Sequence, residues 1–178
     1  REAHYTWAAS YDEMTGHLNR MRLREHLAQI LELTPVSERK PSAYFVVAID
    51  DLAVINETYG FDMADEVIVT IGRRLAETAG PGCTIGRTAG NKFGIIVEGC
   101  SSDEMAVRAA QFRTAARAKV IPTRNGAVSV SVSLGAVSLP KDAQNSQEAM
   151  ARAEEALDRA KVYGRDNYAA YAHSPQRD

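Results

Sequence analysis

Little in this chain of 178 residues is present in excess, and its scarcities exclude more than its abundances reveal. It has two cysteines, Cys83 and Cys100, in neither a CxxC nor a metal-ligand spacing, so they read as reduced structural thiols. Its four histidines, His4, His17, His26 and His173, share no ligand spacing and read as surface or packing residues. A formal net charge of −2 floods no face with Lys or Arg, so neither nucleic acid nor direct membrane contact is expected. The longest apolar runs, such as 43–49, fall far short of the roughly 20 residues that span a bilayer, and no signal-peptide pattern opens the chain. The expectation is a cytoplasmic protein. The first residue is not Met, which reads as a piece of something longer.

What is present is ordinary for a globular domain: 45% apolar and 25% charged residues, enough to bury about 70% of the unfolded surface around one core. Residues 1–10 read as a linker whose Tyr5 and Trp7, with Tyr11, pack on the domain or on an upstream linker; 11–173 form the domain, and 174–178 a second linker. Met21, Leu23, Leu27, Ile30 and Leu31 recur at helical spacing within 19–33. After a polar loop, the nearly continuous apolar run 42–50 suits a strand covered on both faces. A helical turn follows to Tyr59-Gly60, and Asp62 caps a second helix that ends near Gly80-Pro81-Gly82. Ser101 and Ser102 offer caps to a helix before Pro122. The alternation AVSVSVSLGAVSL at 127–139 predicts a half-buried strand, with Gly135 a bulge or a close approach. Ser146 caps the last helix, Gly164 closes it, and NYAAYA makes a final strand. This order implies an α/β (α+β) fold with a mixed central sheet covered by helices.

Between the second and third helices lies TIGRTAGNKFGIIVE, 84–98, which reads as two strands joined by a turn at Ala89-Gly90-Asn91-Lys92. A hairpin tip is an exposed, rigidly supported place to present functional groups. This one presents an amide, Asn91, and a cation, Lys92, without a carboxylate. On its own the stretch is as well explained by a plain hairpin.

Five stretches in register resemble the GGDEF domain of bacterial diguanylate cyclases. DEMTGHLNR from Asp12 is similar to DxLTGLxNR, AIDDLAVINETYGFDMAD from Ala48 to DIDxFKxINDxxGHxxGD, and RTAGNKF from Arg87 to RxGGDEF. SVSLGAV from Ser131 resembles the SxG strand and ALDRAKVYGRDN from Ala156 the closing ALYxAKxxGRN. The resemblance implies a fold similar to the nucleotidyl cyclase and polymerase palm. It also implies a reaction in which two GTP molecules, one per domain of a two-fold pair, become cyclic di-GMP with magnesium held by carboxylates.

The departures fall on those carboxylates. The family's two metal-ligand positions are Ala48 and Asn91 here, and its next acidic position is Lys92. Ala53 replaces a phosphate-contacting lysine, and Ala89 replaces a glycine beside Gly90, where a methyl crowds the approach to the backbone. Asp50 survives on the same strand face as position 48, a weak candidate ligand whose plainer reading, with Asp51, is a strand end and helix cap. Asn56 and Asp65 match the guanine-reading pair, though a helix stop and cap explain them too. Lys161 and Arg165 match phosphate contacts, and spacing of four puts them on one helix face unless they are merely a solvated helix end. The family's RxxD product site falls on Gly80-Pro81-Gly82-Cys83, where no residue of the motif carries a guanidinium.

The resemblance with these departures implies a catalytically inactive, regulatory domain of cyclic di-GMP signalling. Its expected ligand is GTP through Asn56, Asp65, Lys161, Arg165 and Lys92, with neither magnesium nor another cofactor. Its implied partners are a flanking sensory or EAL-type phosphodiesterase domain and a second copy. A nucleotide-free interaction scaffold and a residual cyclase with an altered metal site stay open.

Overall fold

The computed structural model describes Trp7 and residues 9–172. The expectations placed on Tyr5, His4, His173 and the terminal linkers lie largely outside that range. Trp7 stacks on Tyr11 with ring centroids 5.4 Å apart.

The elements run β1 (Leu18–Asn19), α1 (Arg20–Ala28), β2 (Ser42–Ile49), α2 (Leu52–Tyr59), α3 (Phe61–Ala79), β3 (Cys83–Ala89) and β4 (Lys92–Glu98). They continue with α4 (Met105–Arg117), β5 (Ile121–Thr123), β6 (Gly126–Val128), β7 (Val132–Leu139), α5 (Ser146–Val162) and β8 (Tyr168–Ala170). Six strands form one sheet in the order β1-β3-β4-β2-β7-β8, while β5 and β6 make a separate hairpin. The sheet is mixed: β2 lies antiparallel to β4 and β7, and the outer pairs β1–β3 and β7–β8 are parallel.

As its apolar run predicts, β2 is buried at every position. Phe45, Val47 and Ile49 face a layer built from α2, α3 and α4. Tyr44, Val46 and Ala48 face α1 and α5. The amphipathic stripe Val67, Ile68, Ile71 and Leu75 drives α3 onto the first layer. Leu23, Leu27 and Leu31 hold α1 on the second, although the last turn of that segment, Gln29–Leu33, winds as a π-helix.

Several sequence expectations are corrected. The 127–139 stretch is not one half-buried strand: β6 turns away to pair with β5, and β7 is buried throughout because helices cover both faces. The two serines of β7, Ser133 and Ser138, are therefore internal, Ser133 fully so. Gly135 marks a close approach, since a Cβ there would lie 2.2 Å from the Ala153 carbonyl oxygen in α5. The caps shift as well. Gly60, not Asp62, caps α3, and the Asn145 side chain, accepting from the Glu148 N–H, caps α5 in place of Ser146. Ser101 does form a capping box with Glu104. Two strands that sequence periodicity misses, β1 and β5, have two and three residues, too few to show a period.

Candidate functional site

The 84–98 hairpin forms as read, with Ala89 paired to Lys92 and a register shift between Arg87 and Ala89. Gly90 is not among the left-handed glycines, so the reversal does not depend on glycine's special backbone freedom. The tip end of the hairpin is tied to the N-terminal turn. Asp12 Oδ2 accepts from the Thr15 N–H at 2.9 Å and the Thr15 hydroxyl at 2.8 Å, and Arg87 Nη1 reaches Asp12 Oδ1 at 3.3 Å. Burial pushes the Asp12 carboxyl up, but the Thr15 hydrogen bonds and the Arg87 charge more than offset it and hold it below its usual value. Burial draws neighbouring His17 below its usual value, against the opposing charge of Asp12, and its ring packs edge-on to Phe93 at 6.0 Å.

Beside the hairpin tip lies a cleft of about 380 Å³. Asn56 and Asp65, chosen from sequence as a pair, both line it, with Gly90 and Asn91 of the tip, Phe61 and Arg87. The glycine at position 60, with φ of 93°, breaks the chain between α2 and α3 so that both helices present residues to one cavity. Two buried polar atoms of lining residues, Asn56 Oδ1 and Arg87 Nε, have no hydrogen-bond partner in the protein. Sequence reading gave Arg87 no role, although a charged residue inside an apolar hairpin strand was its signal. Ala89 is exposed and does not line the cleft, so the crowding expected of its methyl is not seen there; the alanines that do are Ala53 and Ala64.

Ala48 faces the other helix layer. It is fully buried and sits directly across the ladder from Lys92. The Lys92 ammonium donates to Glu154 Oε1 of α5 at 2.8 Å. The same face explains Gly94: a Cβ there would lie 2.5 Å from the hydroxyl oxygen of buried Tyr44. Burial, with Glu154 adding to it, drives the Tyr44 phenol far above its usual range, so the ring stays neutral.

Asp50 ends β2 fully engaged. It accepts from the Ser131 hydroxyl at 2.7 Å, the Ser133 hydroxyl at 2.9 Å and the Asp166 N–H at 2.8 Å. Asp166 in turn accepts from Arg113 Nε at 3.1 Å and Arg117 Nη1 at 2.7 Å. Lys161 and Arg165 do not share a helix face, because α5 stops at Val162 and Gly164 turns the chain with φ of 115°. Arg165 pairs instead with Asp51, and Lys161 is exposed and outside the cleft lining. Asp51 precedes α2 in a left-handed conformation, with φ of 58°, and its side chain makes no cap hydrogen bond. No group of three or more His, Cys, Asp or Glu that could hold a metal ion gathers among the described residues.

At the Gly80–Cys83 turn, where no residue of the motif supplies a guanidinium, α4 supplies one. Arg108 Nη2 donates to the Ala79 carbonyl at 3.0 Å and to Cys83 Sγ at 3.4 Å, and its guanidinium lies over the Phe112 ring. Both cysteines are free thiols, and burial pushes that of Cys100 up. No helix of the described residues is long and apolar enough to cross a membrane.

A mixed sheet between two helical layers, with a cleft lined by a hairpin tip and by α2 and α3, defines an α/β domain with a candidate ligand site. The chain belongs to the GGDEF family: the model described as the diguanylate cyclase GGDEF domain matches residues 9–167. Bacillus subtilis YhcK, an uncharacterized protein, is 28% identical over 163 residues, 91% of this chain and 45% of its own length. Pseudomonas aeruginosa MucR, a bifunctional diguanylate cyclase/cyclic di-GMP phosphodiesterase, is 26% identical over 93% of this chain and 24% of its own. The chain thus spans less than half the length of these relatives. In structure, the coiled coil and GGDEF domain of Caulobacter crescentus DgcB in complex with c-di-GMP matches with a TM-score of 0.85. That match has 21% identity and covers 94% of this chain and 88% of the other, a likeness of fold.

Proposed function

We propose that this domain does not run the cyclase reaction and instead binds GTP as a regulatory module of bacterial cyclic di-GMP signalling, inside a larger multidomain protein. The observation that carries this reading is the loss of acid at all three matched positions, Ala48, Asn91 and Lys92, with Lys92 across the ladder from Ala48 and committed to Glu154. The residues do not fit a magnesium ion. Magnesium takes hard oxygen ligands in near-octahedral geometry, and a methyl, an amide and an ammonium supply no carboxylate. Asp50, the surviving acid, already holds three hydrogen bonds.

The cleft supports the binding half of the proposal. Asn56 and Asp65 come together in it, and an amide with a carboxylate satisfies the N–H-rich edge of guanine. GTP then biases a flanking domain, sensory or of the EAL phosphodiesterase type, provided it binds two states of the whole protein with different affinity. A second reading, a nucleotide-free scaffold, has one observation in its favour: Val54, Tyr59 and Phe61 on α2 and α3 are large apolar side chains left exposed, Phe61 by 75%.

Calorimetric titration with GTP in magnesium and in EDTA, with ATP as control and a product assay alongside, tests this. Saturable GTP binding that ignores EDTA, without cyclic di-GMP, is expected. Cyclic di-GMP above a protein-free control overturns the inactive reading; no heat in either buffer favours the scaffold.

A further inference from the structure

We infer that the cleft recognises the guanine base and not the phosphate chain, so that guanosine, GMP, GDP and GTP are held nearly alike. The inference rests on the reading of the cleft as a guanine site and states which part of the nucleotide that site grips.

Two lining groups are buried without partners, one acceptor and one donor: Asn56 Oδ1 and Arg87 Nε. Leaving such groups unpaired is costly, and a ligand that pairs them removes the penalty. Guanine has the required edges. Its N1–H and 2-amino group donate to the Asn56 oxygen and the Asp65 carboxylate, while O6 or N7 accepts from Arg87. Adenine, whose N1 is an acceptor, cannot satisfy a wall of acceptors. Phe61, exposed at the mouth of the cleft, offers a ring against which a base stacks.

The phosphates find no equivalent. Arg87 is the one cation among the described residues lining the cleft, and its terminal nitrogens are held by Asp12 and by the Gly90 carbonyl at 2.8 Å. Lys92 is neutralised by Glu154, Arg165 by Asp51, and Arg113 with Arg117 by Asp166. These cations arrive with their own carboxylates, which offset their field on a neighbouring phosphate, and Lys161 and Arg20, for which no carboxylate partner is found among the described residues, lie outside the cleft lining. The residue masking Arg165 is separable from the fold, because Asp51 makes no cap bond and glycine readily adopts its left-handed backbone.

The test is calorimetry on the 178-residue chain in EDTA with guanosine, GMP, GDP, GTP and adenosine, repeated with Asp51→Gly. Dissociation constants within about threefold across the guanine series, with no adenosine binding, are expected. In Asp51→Gly, GTP is expected to bind at least about fivefold tighter than guanosine, because Arg165 is released. GTP binding about tenfold or more tighter than guanosine in the unaltered chain overturns this inference while leaving the GTP-binding reading intact. An unchanged ratio in Asp51→Gly overturns the role given to Asp51. Absence of binding by every guanine compound to the folded chain overturns both readings.

Discussion

The Asp166 backbone N–H donates to Asp50 Oδ2 at 2.8 Å, joining residues 116 positions apart. The bond fixes the closing loop against the end of β2, and the Ser131 and Ser133 hydroxyls complete the shell of the carboxylate. Asp166 needs that support, since it holds a left-handed backbone with φ of 54°.

Replacing Asp50 by Ala leaves two hydroxyls and an N–H without their acceptor. A loss of about 2 kcal/mol is expected, which lowers the melting temperature of a domain this size by roughly 4–8 °C. Asp50→Asn, retaining one acceptor, falls between. Thermal unfolding followed by circular dichroism measures both, and an Ala variant that melts with the parent would show that the network does not secure the loop.

Gly135 and Gly90 make a matched pair. A methyl at Gly135 meets α5 backbone at 2.2 and 2.3 Å, which no side-chain rotation relieves, whereas nothing lies within 4 Å of one at Gly90. Gly135→Ala is expected to cost about 3 kcal/mol or more through separation of sheet and helix, and Gly90→Ala less than about 0.5 kcal/mol. Urea denaturation midpoints distinguish them.

Lys92 and Glu154 are only partly shielded, with side chains 22% and 34% exposed. Their coupling is expected to be about 0.5–1 kcal/mol, so Lys92→Met and Glu154→Gln each leave a folded domain. A double-mutant cycle on unfolding free energy reads the coupling directly. A value above about 2 kcal/mol would make the pair a structural keystone of α5 and not a local neutralisation.

Acid is expected to destabilise the N-terminal turn in two stages. The fold lowers His17 below its ordinary 6.5 and Asp12 below its ordinary 3.8, so in both cases the native state favours the deprotonated form. Their stabilisation is complete above those values and is lost as pH falls, first through His17, then through Asp12. Melting temperatures from pH 8 to pH 3 should fall in that order, and His17→Gln should flatten the upper stage alone. A melting temperature that rises between pH 7 and pH 5 contradicts the assignment.

The parts legible in sequence are those where one local cause dominates. The apolar run of β2 announces burial on both faces, and the stripe of α3 announces its docking side. Asn56 and Asp65, a pair legible only through the family resemblance, converge on one cleft. What sequence hid depends on partners distant in the chain. The alternation of β7 misleads because Ser133 spends its hydroxyl on Asp50, so a polar residue is internal without penalty. Lys92 reads as a free cation until α5 brings Glu154 beneath it, and a spacing of four between Lys161 and Arg165 carries no meaning once the helix ends between them.

The strand order has a consequence for self-assembly. One margin of the sheet is β1, a two-residue strand whose outer side is occupied by a bridge from Tyr11 to Leu18, and the other is the three-residue β8. Neither presents a ladder long enough to template a further strand, which protects against edge-to-edge aggregation. Copies of this domain that associate are therefore expected to meet through helices and loops and not through either of these two edges.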